Sequence, residues 1–559
     1  MDNERVLLQK RITKEGVSMR LFKAFLMLLL IPALAWSGVN LKNGNFYISY
    51  TDIIVPGGGQ DLEIARTYNS KSTDKGWFGF GWGSDFETYL SVGADGSVVV
   101  HENGSGATTR FTPKENVDPA AAAKKIVEAM RKKTTVSAQV AESLIEKLKN
   151  DAELRQAYGR KFDVKAELAA GSKLFSNTRG IQELYVLKDG YKRQFNDGKE
   201  EIFTKEGKLL KIKNKYGYTV DFVYDGATLK SIKDSQAKQL FFEWYADGKV
   251  KHVWSAGDKK TFYKYKGDDL IESTDVGGNK FTYGYDTNHN LSAIGYADES
   301  KMLVKYTSKT QFVEEITSRN GEVTKYDYGS NPKNPEYHYW TIVKKKGVSG
   351  KEVANRYEYE IKSRPDGSDY TYRILTEING LKTETFYTEC CSLPSKIIRG
   401  DRVTTFDYHE NGLLKNKASN NGEFVKLEYH PKFNKITKVN SNKGWTNFEY
   451  DKNGNLSKAV NDGGMSVLLL YDRQGRITKM LDNNKKTNEK RTLSFKYNAL
   501  GKPVEIAMDN VGKINVSYDN YGEIKKVESK AGHKMALQVT QAFQSLLSIV
   551  KPAGVNLNM

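Results

Sequence analysis

The sequence has few of the residues that metal sites and catalytic sites use. It contains only two cysteines, Cys390 and Cys391, and seven histidines in 559 residues. The cysteines are adjacent, which is the wrong spacing for chelating one metal ion, and no two histidines have H-x-x-x-H spacing. The composition disfavours a cysteine-rich zinc domain or a zincin-like enzyme. We therefore expect no catalytic residue, no metal and no cofactor.

Long apolar runs are also scarce, and the clearest one, residues 24–31, is too short to span a bilayer. Arg20 and Lys23 precede this run and small residues follow it, which is the pattern of a secretory signal peptide. We predict a signal peptide at residues 1–37, with Met19 as the alternative true start. The prediction is export to the cell envelope, the cell surface or the medium, with no transmembrane anchor after cleavage.

Tyrosine and glycine are abundant instead, with 33 and 48 copies. Through the last two-thirds of the chain, tyrosines recur at intervals of about 21 residues, which indicates stacked supersecondary units. The thirteen repeat tyrosines are Tyr224, Tyr245, Tyr265, Tyr285, Tyr306, Tyr328, Tyr387, Tyr408, Tyr429, Tyr450, Tyr471, Tyr497 and Tyr518. The wider gap between Tyr328 and Tyr387 indicates a degenerate stretch of the same repeat.

Each repeat is predicted to be a β-hairpin. Residues 513–518 alternate apolar and polar up to Tyr518, which is strand periodicity. The clearest turn, residues 471–477, reads Y-D-R-Q-G-R-I, and aspartate and glycine favour a tight turn there. Single hairpins are marginal in water, so the repeats must pair edge to edge. The predicted fold is mainly β, a spiralled strip of repeated antiparallel hairpins with a small α-helical insertion.

The repeats and one further segment resemble a known family. The Y-D-x-x-G-R/N-I/L units resemble the YD repeats of Rhs proteins, bacterial toxin-complex shells and teneurins. Residues 55–59 (V-P-G-G-G), 66–70 (R-T-Y-N-S) and 79–83 (G-F-G-W-G) are similar to the entry segment of many Rhs chains. The resemblance implies a hollow shell of hairpins, which often encloses a toxin domain.

The chain departs from this family towards its C-terminus. About forty residues follow Tyr518, which are too few for the folded toxin domain of many Rhs chains. The D-P-x-G-containing stretch that closes the shell is missing, because the single Asp-Pro lies at Asp118–Pro119. The toxin-encapsulating activity and the self-cleaving residues are therefore not carried over to this chain.

Composition divides the chain into five predicted segments. Residues 114–172 are alanine-rich and show helical spacing, as in Ile126, Val127 and Met130, so they are predicted to be a helical packing appendage. The five segments are the signal peptide at 1–37, an Rhs-type β entry segment at 38–113, the helical insertion at 114–172, the repeat array at 173–529, and an amphipathic helix with a tail at 530–559. We expect the last helix to cover an open sheet edge or the end of the shell.

The net charge of +18 does not by itself indicate nucleic-acid binding, because 86 basic residues are spread among 68 acidic ones. We predict an exported, non-enzymatic shell protein that acts by binding or encapsulation, with an unknown protein or glycan as its partner. One alternative is a component of a two-chain toxin-encapsulating shell, in which a second chain completes the shell. The other alternative is a carbohydrate-binding adhesin.

The two cysteines fall in a repeat turn. Residues 387–393 align with residues 471–477, which places Cys391 where Gly475 stands in the clearest copy. In an oxidising compartment three states are open: a vicinal Cys390–Cys391 disulfide, two free thiols, or an interchain bridge.

Overall fold

The computed structural model is described in two compact units. The larger unit comprises Trp36–Ile53 and Glu63–Phe424, and the smaller one comprises the described residues of Ile54–Leu62 and Val425–Met559. The described residues are 36–56, 61–102, 104, 106–114, 117–176, 182–226, 228–257, 259–346, 350, 352–499, 501–518 and 524–550. Residues 1–35 of the predicted signal peptide lie outside the described residues.

The entry segment of the larger unit forms a small sheet. Its strands β1, β2, β3 and β6 are neighbours in that order, while β4 and β5 pair with each other. A short 3-10 turn, Asp85–Glu87, follows them. The strands are β1 (Trp36–Asn40), β2 (Asn45–Val55), β3 (Leu62–Asn69), β4 (Lys75–Gly76), β5 (Gly79–Phe80) and β6 (Trp82–Ser84).

A twelve-stranded antiparallel sheet follows, and each strand pairs with its neighbours in the sequence. Its strands are β7 (Tyr89–Val92), β8 (Val98–Glu102), β9 (Ala107–Pro113), β10 (Lys173–Ser176), β11 (Gln182–Leu187), β12 (Gly190–Phe195), β13 (Glu200–Thr204), β14 (Leu209–Lys213), β15 (Thr219–Asp225), β16 (Thr228–Asp234), β17 (Gln239–Trp244) and β18 (Val250–Trp254). Alternate residues of these strands are buried, as the period of two predicts.

The larger unit continues with strands β19 to β32, again paired in chain order. They are β19 (Phe262–Lys266), β20 (Asp269–Thr274), β21 (Lys280–Tyr285), β22 (Leu291–Gly295), β23 (Lys301–Tyr306), β24 (Val313–Thr317), β25 (Val323–Ser330), β26 (His338–Lys346), β27 (Glu352–Ser363), β28 (Asp369–Ile378), β29 (Leu381–Tyr387), β30 (Pro394–Arg399), β31 (Arg402–Tyr408) and β32 (Leu414–Ser419). The gap between Tyr328 and Tyr387 is filled by β26, β27 and β28, which are longer than most repeat strands.

In the smaller unit, strands β33 to β42 pair in the same way. They are β33 (Phe424–Tyr429), β34 (Ile436–Ser441), β35 (Gly444–Tyr450), β36 (Leu456–Asn461), β37 (Met465–Tyr471), β38 (Ile477–Asn484), β39 (Glu489–Tyr497), β40 (Pro503–Met508), β41 (Gly512–Tyr518) and β42 (Ile524–Ser529). The predicted fold class, repeated antiparallel hairpins with a small helical insertion, is confirmed.

The helical insertion lies between β9 and β10, which are adjacent antiparallel strands. Its helices are α1 (Pro119–Lys133), α2 (Ala138–Asn150) and α3 (Ala152–Phe162). The Asp118 carboxylate accepts the Ala121 amide and Pro119 occupies the first turn, so α1 begins as its sequence predicts. The three helices share one apolar cluster. Asp163 ends α3 in the left-handed conformation, and residues 164–169 are not helical, so the predicted helical insertion at 114–172 is helical only as far as Phe162.

The last helix is α4 (Gly532–Val550). It packs against β36, β37, β38, β41 and β42. The Phe495 and Phe543 rings lie 6.2 Å apart, and the Arg491 Nε donates to Gln538 Oε1 at 3.0 Å. The helix therefore covers a face of the sheet of the smaller unit and not only its terminal strand. Among the described residues, no helix combines the length and the apolarity needed to cross a bilayer.

Candidate functional site

The repeat tyrosines tie each hairpin to the one before it. The Tyr471 hydroxyl donates to the backbone carbonyl of Leu456 at 2.8 Å, and Leu456 itself pairs with Tyr450, the previous repeat tyrosine. A register shift between Leu470 and Tyr471 marks a β-bulge at the tyrosine. We call this hydrogen bond, from a repeat tyrosine to the residue opposite the preceding bulge, the tyrosine clasp.

The tyrosine clasp recurs in both units. Its bonds are 2.6–3.0 Å long and join Tyr224 to Leu209, Tyr265 to Val250, Tyr285 to Leu270, Tyr306 to Leu291, Tyr328 to Val313, Tyr408 to Pro394, Tyr450 to Ile436, Tyr497 to Ile477 and Tyr518 to Pro503. Tyr387 and Tyr429 occupy the same bulge position, opposite Pro394 and Ile436. The 21-residue period is thus the spacing of a bond between hairpins.

One predicted repeat tyrosine is misplaced by a single residue. Trp244, and not Tyr245, occupies the bulge position opposite Val250, and its indole nitrogen donates to the Leu229 carbonyl at 2.7 Å. Tyr245 is 37% exposed and donates to the Tyr263 carbonyl instead. An indole N–H supplies the same donor as a phenol, so the clasp persists without its tyrosine.

The aspartate of the Y-D-x-x-G motif closes the turn. Asp472 Oδ1 accepts the backbone amides of Gln474 and Arg476, each at 2.9 Å, and its Oδ2 accepts the Arg476 Nε. Gly475 has a φ of 78°, which favours glycine. Asp451 makes equivalent bonds to the amides of Asn453 and Asn455. Each motif residue therefore has a structural task within the turn.

Burial keeps the clasp hydroxyls protonated. It raises the pKa to about 12 at Tyr408, Tyr429 and Tyr450. A phenol that does not ionise near neutral pH remains a hydrogen-bond donor. These phenols therefore stay protonated, and able to donate a hydrogen bond, at neutral pH.

The entry segment is held to the repeats by one buried arginine. Arg66 is fully buried, and its Nε donates to Asp52 Oδ2 at 2.6 Å. One of its terminal nitrogens also donates to Ser273 Oγ at 2.7 Å and to Tyr283 Oη at 2.8 Å. The Tyr263 hydroxyl donates to the same Asp52 oxygen at 2.8 Å. Arg66 thus joins the entry segment to β19, β20 and β21.

Aromatic rings enclose this ion pair. The Arg66 guanidinium carbon lies 4.7 Å from the centroid of Trp82 and 5.0 Å from that of Tyr50, within cation–π range. The neighbouring Tyr68 hydroxyl accepts the Leu291 amide at 2.9 Å. Trp82 donates to Tyr285 Oη at 2.9 Å. Arg66, Tyr68 and Trp82 of the entry segment therefore contact strands β19 to β22, and Trp82 reaches the repeat tyrosine Tyr285, a role that their sequence did not reveal.

The glycines of the entry segment permit this close packing. A side chain on Gly79 would meet the Asp268 carbonyl oxygen at 2.4 Å, and one on Gly81 would meet the Tyr68 ring at 2.7 Å. Both glycines also have positive φ angles. Close backbone packing accounts for this glycine spacing.

Two family models match the chain at its two ends. The Teneurin YD-shell model matches residues 429–557, which include the clasps of Tyr450, Tyr471, Tyr497 and Tyr518. This match supports an Rhs/YD-repeat family for the chain. A domain of unknown function, DUF6531, matches residues 37–111 of the YD-repeat chain, where Arg66 lies.

The solved structures similar to the YD-repeat chain are much longer. The complex of TcdB2, TccC3 and Cdc42 has a TM-score of 0.38 and 8% identity over 86% of this chain and 28% of that one. The Tc holotoxin pore of Photorhabdus luminescens has a TM-score of 0.38 and 9% identity over 86% of this chain and 29% of that one. The chain thus spans less than a third of the length of these structures. A comparison with curated proteins found no match.

In the larger unit of the YD-repeat chain, Arg155 joins the helical insertion to two turns between strands, and we call these contacts the helical brace. This buried side chain donates to Asp95 Oδ2 at 3.0 Å, to the Leu148 carbonyl at 2.7 Å and to the Asp366 carbonyl at 2.7 Å. Asp95 lies in the β7–β8 turn and Asp366 in the β27–β28 turn. Burial raises the pKa of Asp95, but the nearby Arg110, Ser97 and Arg155 outweigh it and hold that pKa at about 2.

One cluster on the larger unit has donors suited to a metal ion. Ligand atoms of His338, Glu358 and Glu360 lie within 4.8 Å of one another. Arginines already neutralise the carboxylates, because Arg373 lies 2.5 Å from Glu360 and Arg356 lies 2.7 Å from Glu358. His338 also shares a 2.9 Å hydrogen bond with Glu358. A divalent cation would have to displace these partners, so the arrangement fits an ion-pair network better than a metal centre.

The cysteine turn lies between β29 and β30. The structure joins the Cys390 and Cys391 sulfur atoms in a disulfide. Cys391 has a φ of 71°, so it adopts the conformation of Gly475 in the aligned turn. The turn is one residue longer than that alignment predicts, because Tyr387 pairs with Pro394 and Ser392 is also left-handed.

Proposed function

We propose that this protein is an exported, non-enzymatic YD-repeat shell protein that acts by binding or encapsulation at the cell envelope or surface. The observation that carries this proposal is the tyrosine clasp, which is repeated from Tyr224 to Tyr518. A bond that recurs along a hairpin array joins neighbouring repeats into a continuous sheet and creates no single reaction centre.

Two buried ion-pair networks support a non-enzymatic role because the contacts of their arginines lie within the fold. Arg66 forms an ion pair with Asp52 among aromatic rings. Arg155 donates to four acceptors within the fold, on Asp95, Leu148, Lys149 and Asp366. Active sites instead tend to leave perturbed groups facing a cleft. The sequence offers no nucleophile–base motif that would contradict this reading.

Fractionation and protease protection test the proposal. The full chain is expressed with its own N-terminus, and the mature form is located in cytoplasmic, envelope and culture fractions. We expect it in the envelope or the medium, together with a bound polypeptide or glycan that resists protease or glycosidase digestion until the shell is unfolded. A cytoplasmic protein retaining residues 1–35, or a bound species digested as fast as its free form, would contradict the proposal.

A two-chain shell is the second candidate. Strand β42 (Ile524–Ser529) stands last in the order of its sheet in the described part of the chain. An edge strand pairs readily with a strand from another polypeptide. Native mass spectrometry with the product of a neighbouring gene tests this candidate. A stable one-to-one complex that is lost when Val527 is replaced by proline supports it, since proline removes a backbone donor.

A glycan-binding adhesin is the third candidate, and one aromatic group favours it. The Phe241 and Trp254 rings stack with centroids 5.6 Å apart, and Phe262 nearby is 47% exposed. Partly exposed stacked rings suit the apolar face of a sugar. Glycan-array binding that is lost in Trp254→Ala and retained in Trp445→Ala, a control residue 39% exposed, would support this candidate.

A further inference from the structure

We propose that the Cys390–Cys391 disulfide is a covalent attachment site for a thiol. The two residues are adjacent, and their Cα atoms are 3.8 Å apart, below the separation of about 4.4–6.8 Å that most disulfides span. Disulfides outside that range are more readily reduced. The proposal does not depend on what the protein encloses or binds elsewhere.

The two sulfur-bearing residues differ in accessibility. Cys390 is exposed and Cys391 is half-buried, so an incoming thiolate reaches the Cys390 sulfur first. Thiol–disulfide exchange proceeds by direct attack on one sulfur, and access decides which sulfur is attacked. The fold therefore selects Cys390 as the attachment point and Cys391 as the leaving group.

A cation lies against the turn that would hold the leaving thiolate. Arg364 Nε donates to the Glu389 carbonyl at 2.9 Å, and its Nη2 donates to Ser392 Oγ at 3.5 Å, so the guanidinium contacts residues on both sides of the cysteines. Positive charge beside a cysteine lowers its pKa, and a thiol of lower pKa leaves faster. Arg364 is thus a positioning residue for the exchange.

The turn that carries the disulfide is closed by hydrogen bonds between Thr388 and Leu393. The Thr388 amide donates to the Leu393 carbonyl at 2.7 Å, and the Thr388 hydroxyl accepts the Leu393 amide at 3.1 Å. These bonds close the turn without the sulfur atoms. Opening the disulfide should therefore leave β29 and β30 paired.

The reaction balances without an added oxidant or reductant. The partner thiolate bonds to the Cys390 sulfur, the Cys390–Cys391 bond breaks, and its electron pair stays on the Cys391 sulfur as a thiolate. The product is a mixed disulfide at Cys390. Attack by the Cys391 thiolate reverses the step and releases the thiol.

Peptide mapping of the oxidised, full-length protein tests this proposal. The protein is incubated with graded glutathione, quenched with acid and alkylated, and a cysteine-containing carrier protein replaces glutathione in a parallel arm. We expect glutathionylation on Cys390 with alkylation on Cys391. Adducts in both arms indicate a site open to protein thiols, whereas adducts with glutathione alone restrict the ligand to small thiols, and either result supports the exchange.

Three results would overturn the proposal. They are quantitative alkylation of both cysteines before any thiol is added, a disulfide that stays intact in glutathione, and attachment to Cys391 in place of Cys390. The variant Arg364→Gln should slow the exchange several-fold, Arg364→Lys should restore much of the rate, and Arg402→Gln on the next hairpin should leave it unchanged. Circular dichroism of each variant separates a slower exchange from a misfolded turn.

Discussion

The Tyr471 hydroxyl reaches past its own hairpin to the Leu456 carbonyl, 2.8 Å away, in the hairpin before it. Leu456 is at the same time the cross-strand partner of Tyr450. Each repeat is therefore anchored at the point where the previous tyrosine and its bulge begin the turn. This relationship explains why the tyrosine recurs along the hairpin array.

Replacing Tyr471 with phenylalanine should remove one clasp and leave its ring in place. The expected loss is about 1 kcal/mol of the free energy of unfolding, because the Leu456 carbonyl loses a hydrogen bond. Chemical denaturation measures the loss, and hydrogen exchange should show faster opening of β36 and β37. Tyr47→Phe serves as the control, since that side chain is 37% exposed. Equal effects of the two substitutions would argue against the clasp.

Deleting residues 451–471 should leave a soluble, β-rich protein. The deletion joins Tyr450 to Asp472, so the Y-D turn is rebuilt and Ile477, the acceptor for Tyr497, can pair with Tyr450. Deleting residues 461–470 should instead misfold the smaller unit, because it removes most of β37 and the turn before it and changes the register. Circular dichroism and size-exclusion chromatography compare the two deletions. Similar damage from both would contradict the repeat array.

Glu87 should make stability fall as the pH rises. Burial is the main reason that its pKa is raised to about 8, although the Trp77 amide donates to it at 2.6 Å. A raised carboxyl pKa adds stability that is fully present below the ordinary value of about 4.5 and is lost as the pH rises through 8.

Glu87→Gln should flatten this pH dependence while keeping an acceptor for the Trp77 amide. The contribution of Glu87 to the free energy of unfolding changes by an amount on the order of 4 kcal/mol between the low-pH and high-pH limits. Melting temperatures from pH 5 to pH 9 measure it, with the exposed Glu410→Gln as the control. A wild-type curve that stays parallel to that of Glu87→Gln would rule out the titration of Glu87.

Arg155→Ala should weaken the helical brace strongly. It removes one partner of a buried ion pair with Asp95, a change that costs about 3–5 kcal/mol, although Arg110 remains beside Asp95. Exchange of the α3 amides should accelerate most. The exposed Arg131→Ala on α1 is the control, and an unchanged melting temperature in Arg155→Ala would contradict the brace.

Acid should weaken the same brace in the wild-type protein. The pKa of Asp95 is lowered to about 2, so its contribution is present above the ordinary value of about 3.8 and is lost as the pH falls towards 2. Exchange of α3 should therefore accelerate in that window in the wild type and less in Asp95→Asn. Equal acceleration of α3 exchange in the two proteins would show that Asp95 does not cause the loss of stability in acid.

The signal-peptide prediction can be tested directly. Cleavage is expected before Trp36 or Gly38, because small residues stand three positions and one position before each of these bonds. Strand β1 begins at Trp36, which pairs with Ser49, so cleavage before Trp36 would keep the whole strand. N-terminal sequencing of the exported protein decides between the two sites, and an intact N-terminus on exported protein would contradict both.

The sequence by itself determined the hairpin repeat, the turns and the helical insertion, because these depend on neighbours within about twenty residues. Alternation, the Asp–Gly turn chemistry and the Asp118 cap act locally, and they predicted β-hairpins and α1 in the correct places. The alignment also placed Cys391 at the position of Gly475, and both residues have positive φ angles.

The tertiary structure alone decided which groups meet across long stretches of chain. Arg66 bonds to Ser273 and Tyr283, 207 and 217 residues away, and no local pattern identifies such partners. Pairing register likewise decided that Trp244 takes the place expected for Tyr245, because a slip of one residue turns a side chain to the opposite face of a strand. Local propensity sets the hairpins, whereas register and burial choose the contacts that hold them together.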